Sequence, residues 1–331
     1  MFIMVNQIFV YESDTYCPYS NLAMEEYFLY CIPDNACLLY LWQNNNTVVI
    51  GQNQNPFAQC DMNVLRQRQI KIARRLSGGG AVYHDKGNLN YTFIAKKNNY
   101  SVSKNLDIVI SALQNFGIEA VKGGRNDIEF QQKKISGNAF YNKGDYCYHH
   151  GTLLINSNLD MMQQVLKVDT KKWQNKGIDS VRRRVENISS WNKNIIVQDV
   201  KEQLKKSFKR AYSDAAEKEI FDIEKKETEL LKEKYASCEW IWGKEVPCTL
   251  MLQERYFWGD VSIHLDIEGG EIRNAKLFSD SLEVDIFSQI AGLLKARKLT
   301  KEGLKPVVKE IADKENSVIV HDVMTLIMNN I

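Results

Sequence analysis

Short apolar runs alternate with polar and turn-forming residues along the first half of the chain. Six of them, at 7–11, 37–42, 47–50, 89–95, 134–141 and 146–155, have period-2 or continuous apolar patterning. Such runs suit strands, and together they predict one large sheet. Helical spacing is expected at 21–30, with Ser20 or Asn21 as the cap and acids in the first turns. It is expected again at 106–116 and at 198–215, where Val200, Leu204, Phe208 and Ala211 recur on one face. Residues 219–236 are the most charged stretch and suit a solvated helix and connector. After Pro247 the texture changes. Strand-like 256–267 and 271–278 flank Gly269-Gly270, a hairpin signal. Helical spacing follows at Ile286, Ile290, Leu293 and Leu294, and then at Leu304, Val307, Val308 and Ile311. This block predicts a second, small domain, dividing the 331 residues into 1–246 and 250–331.

Composition narrows the class of protein. Hydrophobic residues make up 44% and charged residues 25%, which excludes a collagenous, disordered or disulfide-scaffold chain. Lys and Arg number 43 against 41 Asp and Glu, so the net charge of +2 implies no polyelectrolyte partner, and no nucleic acid is expected. No apolar run approaches the ~18 residues of a membrane span, so no membrane association is expected either. The opening MFIMVNQIFVYESD has no basic residue before its apolar part and reads as a first strand rather than a signal peptide. Cysteines at 17, 31, 37, 60, 147, 238 and 248 form no C-x-x-C pair and have no metal-site rhythm. They suit reduced thiols in a cytoplasmic protein.

Ten of the 18 glycines fall between Gly78 and Gly151, and candidate chemistry concentrates there. Arg74-Arg75-Leu76-Ser77-Gly78-Gly79-Gly80-Ala81-Val82-Tyr83-His84 puts three glycines behind two guanidinium groups. Glycines let backbone N–H groups turn inward around an anion, and arginines offer forked donors for phosphate or carboxylate. No Gly-Lys-Ser/Thr follows, so this is not a P-loop, and Tyr83 stands where a dinucleotide fingerprint needs its third glycine. A purely structural turn is the alternative. A second segment runs Gly123-Gly124-Arg125-Asn126-Asp127, followed by Lys133-Lys134-Ile135-Ser136-Gly137-Asn138-Ala139. A strand lysine beside a Ser-Gly bend can aim one cation into a cleft, and Asp127 can hold a metal ion or orient a base. A hairpin with exposed lysines fits the same spacing. Adjacent His149 and His150 point to opposite faces of a strand, which suits a pocket wall or packed strand better than one metal ion. Lys176-Gly177-Ile178-Asp179-Ser180-Val181-Arg182-Arg183-Arg184 suits a surface loop or a lid over an anion.

In combination, ARRLSGGGAVYHDKGNLNYTF, GRNDIEF, KKISGNAF, HHGTLLIN and GIDSVRRRVENI resemble the lipoate–protein ligase A family of the lipoate/biotin attachment superfamily. NLAMEEYFL, TVVIGQNQNP, WIWGKEVP and RYFWGDVSIHLDIEGGEI extend the resemblance over nearly the whole chain. It implies an α+β fold: a large catalytic domain with a mixed β-sheet flanked by helices, as in biotin ligases and class II aminoacyl-tRNA synthetases, plus a small α/β C-terminal domain. It also implies an activity. Free lipoate reacts with ATP to give lipoyl-AMP and pyrophosphate, and the lipoyl group passes to a lysine of an acceptor domain. The acceptors implied are the E2 subunits of 2-oxo acid dehydrogenases and the glycine-cleavage H protein.

By the same resemblance Lys134 contacts both the carboxyl group and the α-phosphate. Arg75, Ser77, Gly79, Gly80, Ala81, Val82 and Tyr83 match the nucleotide-binding loop. Asn126, Asp127, Gly137, Ala139, Ser180 and Val181 match further positions around ATP or lipoyl-AMP, with Val181 in a loop that closes over the adenylate. Asp127 is the expected Mg²⁺ ligand. Val82, His84, Lys134 and His149 are the expected lining of the lipoate pocket. Gln52 and Asn138 stand where relatives carry a basic residue and serine. The nearest rival is a lipoyl or octanoyl transferase of the same fold, for which Cys147 is the candidate nucleophile; a nucleotide or lipoate binder without activity and a biotin ligase are the others.

Overall fold

The computed structural model describes residues 5–124, 126–167, 185–243, 247–311 and 317–331. In chain order the elements begin β1 (Gln7–Glu12), α1 (Pro18–Cys31), β2 (Ala36–Trp42), β3 (Thr47–Ile50), α2 (Pro56–Gln59), α3 (Met62–Gln67), β4 (Lys71–Arg74), β5 (Val82–His84) and β6 (Asn88–Lys96). They continue with α4 (Val102–Gln114), β7 (Val121–Gly123), β8 (Asp127–Phe130), β9 (Lys133–Lys143), β10 (Tyr146–Leu154), α5 (Leu159–Val165), α6 (Val197–Ala211), β11 (Ala216–Glu217), α7 (Lys225–Ala236) and α8 (Cys238–Trp242). The last are β12 (Leu250–Tyr256), β13 (Gly259–Glu268), β14 (Glu271–Ser279), α9 (Asp285–Leu294), α10 (Lys301–Ile311) and α11 (Ser317–Met328).

The fold is α+β. Eight strands in the order β11-β1-β2-β6-β10-β9-β8-β7 form a mixed sheet. β1 runs parallel to β11 and β2, and the other neighbours are antiparallel. Every residue of β2 is buried, the mark of a strand covered on both faces. One face packs on α4 and α6: Leu39, Leu41, Tyr91 and Phe93 join Val109, Leu113, Leu204 and Phe208 in a single core. The other face carries α1, whose Glu25 accepts hydrogen bonds from Thr92 Oγ1 (2.7 Å) and His150 Nδ1 (2.9 Å).

Chain contacts gather into two compact units. One is formed by Met1–Val49, Cys60–Ala73 and Val82–Ile241, the other by Ile50–Gln59, Arg74–Ala81 and Trp242–Ile331. Within the second, β12, β13 and β14 form an antiparallel sheet whose core side chains include Trp258, Ile263, Phe287, Ile290, Val320 and Met324.

Three expectations from patterning change. β3 leaves the large sheet and pairs with β5 in a separate three-stranded sheet, β4-β3-β5. β4 and β5 are too short to show in periodicity, so nothing in the pattern marks this partnership. α1 starts at Pro18, whose fixed φ suits a first helical position, and not at a Ser20 or Asn21 cap. Asn21 is inside the helix as a buried cross-link: its Nδ2 donates to Gln43 O (2.8 Å) and Asn44 Oδ1 (2.9 Å), and its Oδ1 accepts from Ser13 Oγ (2.6 Å) and Tyr40 Oη (3.0 Å). The expected strand 256–267 is the end of β12, a turn and β13, because β12 returns on β13 through Tyr256 and Gly259. The pattern also left α11 unread.

Phe208 anchors the α6 face. It is fully buried, with its ring 6.0 Å from Phe93 and 5.2 Å from Tyr212. Phe208→Ala opens a cavity in that core, and chemical denaturation should show a loss of about 3–5 kcal/mol.

Candidate functional site

Strand alternation would send Lys134 and Gly137, three positions apart, to opposite faces of β9. The pairing with β8 prevents this. Asp127 pairs with Gly137 and Ile128 with Ser136, but Glu129 pairs with Lys134, so Ile135 is an extra residue on β9. This β-bulge re-aims the lysine. Its Nζ reaches Asp127 Oδ1 at 2.7 Å, an ion pair in which Asp127 is mostly buried and Lys134 is one-third exposed. The Asp127 Oδ1 atom takes no aligned hydrogen bond, so charge and not bond geometry holds the two together. Gly137 supplies the room: a Cβ there would lie 3.0 Å from the lysine Nζ.

Three neighbours complete this corner. Thr152 Oγ1 accepts from the Gly137 N–H at 3.2 Å. Ala139 registers opposite His150. Val185 bridges Lys134 in parallel, and the Glu186 N–H donates to Lys134 O at 3.0 Å. Of the residues expected at the site, Lys134, Asp127, Asn126, Gly137 and Ala139 lie on neighbouring strands and the turn before β8. Thr152 and Val185 were missed, because nothing in their local spacing marks a partner across the sheet. Ser180 and Val181, and the arginines at 182–184, lie outside the described residues.

The two adjacent histidines part company. His150 faces α1 with Thr152 and Gly137. His149 faces the α4 and α6 side, among the rings of Phe140 (4.9 Å), Tyr91 (5.9 Å) and Phe93 (6.0 Å). Burial, and secondarily the neighbouring His150, lowers its pKa to about 3. It is therefore neutral at ordinary pH, and its Nε2 lies 2.8 Å from Asn138 Oδ1. His84 also sits in an interior place: its Nδ1 is 3.2 Å from Asn44 Nδ2, and its ring meets Trp42 edge-on at 6.1 Å.

The triple-glycine loop belongs to the second unit and is organised from within. Arg75 is buried. Its Nε donates to Ser77 Oγ (3.0 Å), and its Nη2 donates to the carbonyls of Gly78 (2.6 Å) and Gly80 (2.8 Å). Drawing carbonyls onto a guanidinium curls the loop, with Gly79 at φ 86°, a backbone region that side chains resist. Arg74, the other guanidinium before the glycines, donates through Nη1 to the carbonyls of Gly51 (3.2 Å), Gln52 (2.7 Å) and Gln54 (2.8 Å). Burial lowers its pKa to about 10, which keeps it charged at neutral pH. The Gly79 N–H donates to Ser281 O at 2.9 Å. Gly80 and Ala81 follow, and the chain then enters β5 with Val82, Tyr83 and His84.

Among the described residues no helix is long and apolar enough to cross a membrane, and no group of three or more His, Cys, Asp or Glu is gathered for a metal ion.

Comparison with known proteins gives consistent results. Residues 17–209 match the family model described as lipoyl protein ligase A/B catalytic domain, and residues 246–327 match bacterial lipoate protein ligase C-terminus. A curated relative, lipoate-protein ligase A of Psychrobacter cryohalolentis, is 36% identical over 303 residues, covering 89% of each chain. The crystal structure of P. falciparum LipL1 in complex with lipoate superposes with a TM-score of 0.86 at 28% identity, covering 97% of this chain and 99% of that one. A lipoate-protein ligase A bound with ATP gives 0.63 at 26% identity over 72% of this chain and 99% of that one. The bipartite ligase of Thermoplasma acidophilum, studied with its E2 lipoyl domain, gives 0.64 at 26% identity over 75% of this chain and 100% of that one.

The depressed pKa of His149 fixes a pH dependence of stability. The folded histidine stays neutral down to about pH 3, whereas the unfolded one takes a proton below about 6.5. Stability present above pH 6.5 is therefore lost as pH falls toward 3, by about 1.4 kcal/mol per unit. In denaturant titrations, wild type should lose about 2 kcal/mol more than His149→Gln between pH 7 and 5.

Proposed function

The chain belongs to the lipoyl protein ligase A/B catalytic-domain family and carries the lipoate protein ligase C-terminus, and from that premise we propose that it activates free lipoate with ATP. In the first step a lipoate carboxylate oxygen bonds to the α-phosphorus of ATP and pyrophosphate leaves, giving lipoyl-AMP. In the second, the amine of an acceptor lysine bonds to the acyl carbon, AMP leaves, and the amine gives up a proton. A lysine-bearing lipoyl domain of E2 type is the proposed acceptor, with the glycine-cleavage H protein a second; the Thermoplasma relative studied with its E2 lipoyl domain supports the first.

The observation that carries this reading is the Lys134 ammonium, re-aimed by a bulge and given room by Gly137. The first step presses a carboxylate against a polyphosphate, and two anions repel. A preorganised cation offsets that repulsion and gains strength as charge builds at the α-phosphate. Loop 74–81, curled on Arg75, is the proposed nucleotide-binding segment, with Ser77 and the backbone from Gly79 to Tyr83. Asn126, Gly137 and Ala139 are assigned to the adenylate. Ser180 and Val181 keep their proposed place in the loop that excludes water from a reactive anhydride.

Mg²⁺ needs only one or two carboxylates when phosphate oxygens complete its shell, and Asp127, whose Oδ1 faces the Lys134 ammonium, is the proposed single carboxylate. Bound there, the ion supplies charge neutralisation for the polyphosphate. For the acyl tail, Val82 and His84 stay the proposed lining. His150 replaces His149, because only His150 faces the Lys134 side of the sheet while His149 is spent on the opposite core. A cytoplasmic place follows from the same reading, since ATP and acceptor domains are met there.

An acyl-enzyme transferase using Cys147 is disfavoured by the thiol itself. Cys147 is buried, registers opposite Ala95 of the core, and has its pKa pushed up to about 11 by burial. The nucleophile would have to be the thiolate.

Lipoate-dependent ATP–pyrophosphate exchange tests the proposal. Wild type should catalyse it, and Lys134→Ala should lower it by roughly 10²–10³-fold. Truncation also leaves the mostly buried Asp127 without its cation, so the variant's stability is measured beside its activity. No exchange in wild type, together with modification of an acceptor from preformed lipoyl-AMP or an acyl carrier, would overturn the ligase reading.

A further inference from the structure

Asp127 faces Lys134 only if the turn before β8 is held in register, and one side chain holds it. Asn138 lies on β9 just past Gly137 and is almost fully buried. Its backbone N–H donates to Asn126 O at 2.8 Å, and its Nδ2 donates to the same oxygen at 3.1 Å. In return Asn126 Nδ2 donates to Asn138 O at 2.5 Å. Three hydrogen bonds therefore tie together two residues just outside the ladder, which begins with Asp127 opposite Gly137.

The orientation of the Asn138 amide is decided by what surrounds it. Nδ2 faces a carbonyl and must be the donor. Oδ1 then accepts from Tyr91 Oη and from His149 Nε2. Tyr91 can come this close because residue 151 is glycine: a Cβ there would lie 2.3 Å from the tyrosine Oη. With Nε2 carrying the proton, His149 Nδ1 is left buried without a partner. Serine and alanine cannot span these contacts, and aspartate matches the shape but cannot donate to Asn126 O.

We propose that Asn138 is a positioning residue for the adenylation step: from the core side of the sheet it clasps Asn126 and so fixes Asp127 beside Lys134 on the other side. This rests on the ligase reading above. Asn138 touches no reacting atom. Its effect passes through the Asn126 backbone to the carboxylate that sets the place of the ammonium.

The test uses the full chain as wild type, Asn138→Ala, Asn138→Asp, Asn126→Ala and the Asn126→Ala/Asn138→Ala pair. Two quantities are measured: lipoate-dependent ATP–pyrophosphate exchange, and amide hydrogen exchange over residues 121–132. Both Asn138 variants should lower kcat roughly ten- to hundredfold, as expected for a misplaced catalytic group. KM for ATP and for lipoate should change by less than about threefold. Hydrogen exchange should rise over 121–132 while β6 and β10 keep wild-type protection. Asn126→Ala removes only its own Nδ2 bond and keeps the carbonyl that Asn138 clasps, so Asn138→Ala should lower kcat further in the pair. The proposal is overturned if kcat stays within about twofold of wild type, if Asn138→Ala loses its effect in the Asn126→Ala background, or if protection falls evenly across the sheet. Should Asn138→Ala fail to fold, Asn138→Asp keeps the side-chain shape and decides the question. Absence of pyrophosphate exchange in wild type would sink the ligase reading alone, and the hydrogen-exchange comparison would still decide the clasp.

Discussion

An ammonium group on a strand of a covered sheet needs both an opposite charge and a space to stand in. The Lys134–Asp127 pair over Gly137 meets both needs with three local devices: a one-residue bulge, a missing side chain and a carboxylate on the neighbouring strand. Each is useless without the others. Without the bulge the lysine faces the α4 and α6 core, where an unpaired cation is costly. With a side chain at position 137 the ammonium is crowded away. Lacking Asp127, a partly desolvated charge has no partner. The antiparallel pairing of β8 and β9 is the constraint on which the corner depends, and the elements around it keep that pairing in register.

The two sides of β10 show how one strand serves two environments. Alternation sends His149 to one face and His150 to the other, and both meet polar partners in buried surroundings. On the α1 side, Trp42 Nε1 donates to Thr92 Oγ1 (3.0 Å), which donates in turn to Glu25, and His150 converges on the same carboxylate oxygen. On the other side, Tyr91, Asn138 and His149 form an amide-centred cluster among aromatic rings. Polar networks inside a sheet are worth most when every member is satisfied. The first network is linked throughout; the second leaves one histidine nitrogen bare, and that nitrogen makes its neutrality a condition of the fold.

Much of this was legible in the sequence. The strand runs of β2, β6, β9 and β10, the amphipathic spacing of α6 and the glycine hairpin between β13 and β14 all announced themselves through periodicity. The candidate chemistry stood out because Lys134, Asp127 and the triple-glycine loop lie in short motifs of unusual composition, and the structure sets Lys134 beside Asp127. What stayed hidden depends on partners across space. β3 gave no sign of leaving the large sheet, since its partners β4 and β5 are too short to carry a period. Asn21 looked like a helix cap because asparagine favours caps, and only the neighbouring Ser13, Tyr40 and Asn44 show that it is a cross-link instead. Arg74 and Arg75 read as ligand donors, and only the structure shows that they also bond the carbonyls of nearby loops and, from Arg75, the Ser77 hydroxyl. The bulge at Ile135 has no sequence signature at all. It exists in the register between two strands and not in either one.

The loop curled on Arg75 also has a history in time. Gly79 bonds to Ser281, and Asn53 accepts from the N–H of Ser279, so these contacts join stretches of chain separated by much of its length. On a ribosome adding about 5–20 residues per second, partners that follow by roughly 200 positions emerge some 10 to 40 s after the loop has left the tunnel. The guanidinium bonds within 74–80 need no such wait, because every donor and acceptor is made within seven residues. The Arg75 bonds thus depend on no residue made later, whereas the Ser281 and Ser279 contacts wait for the last quarter of the protein.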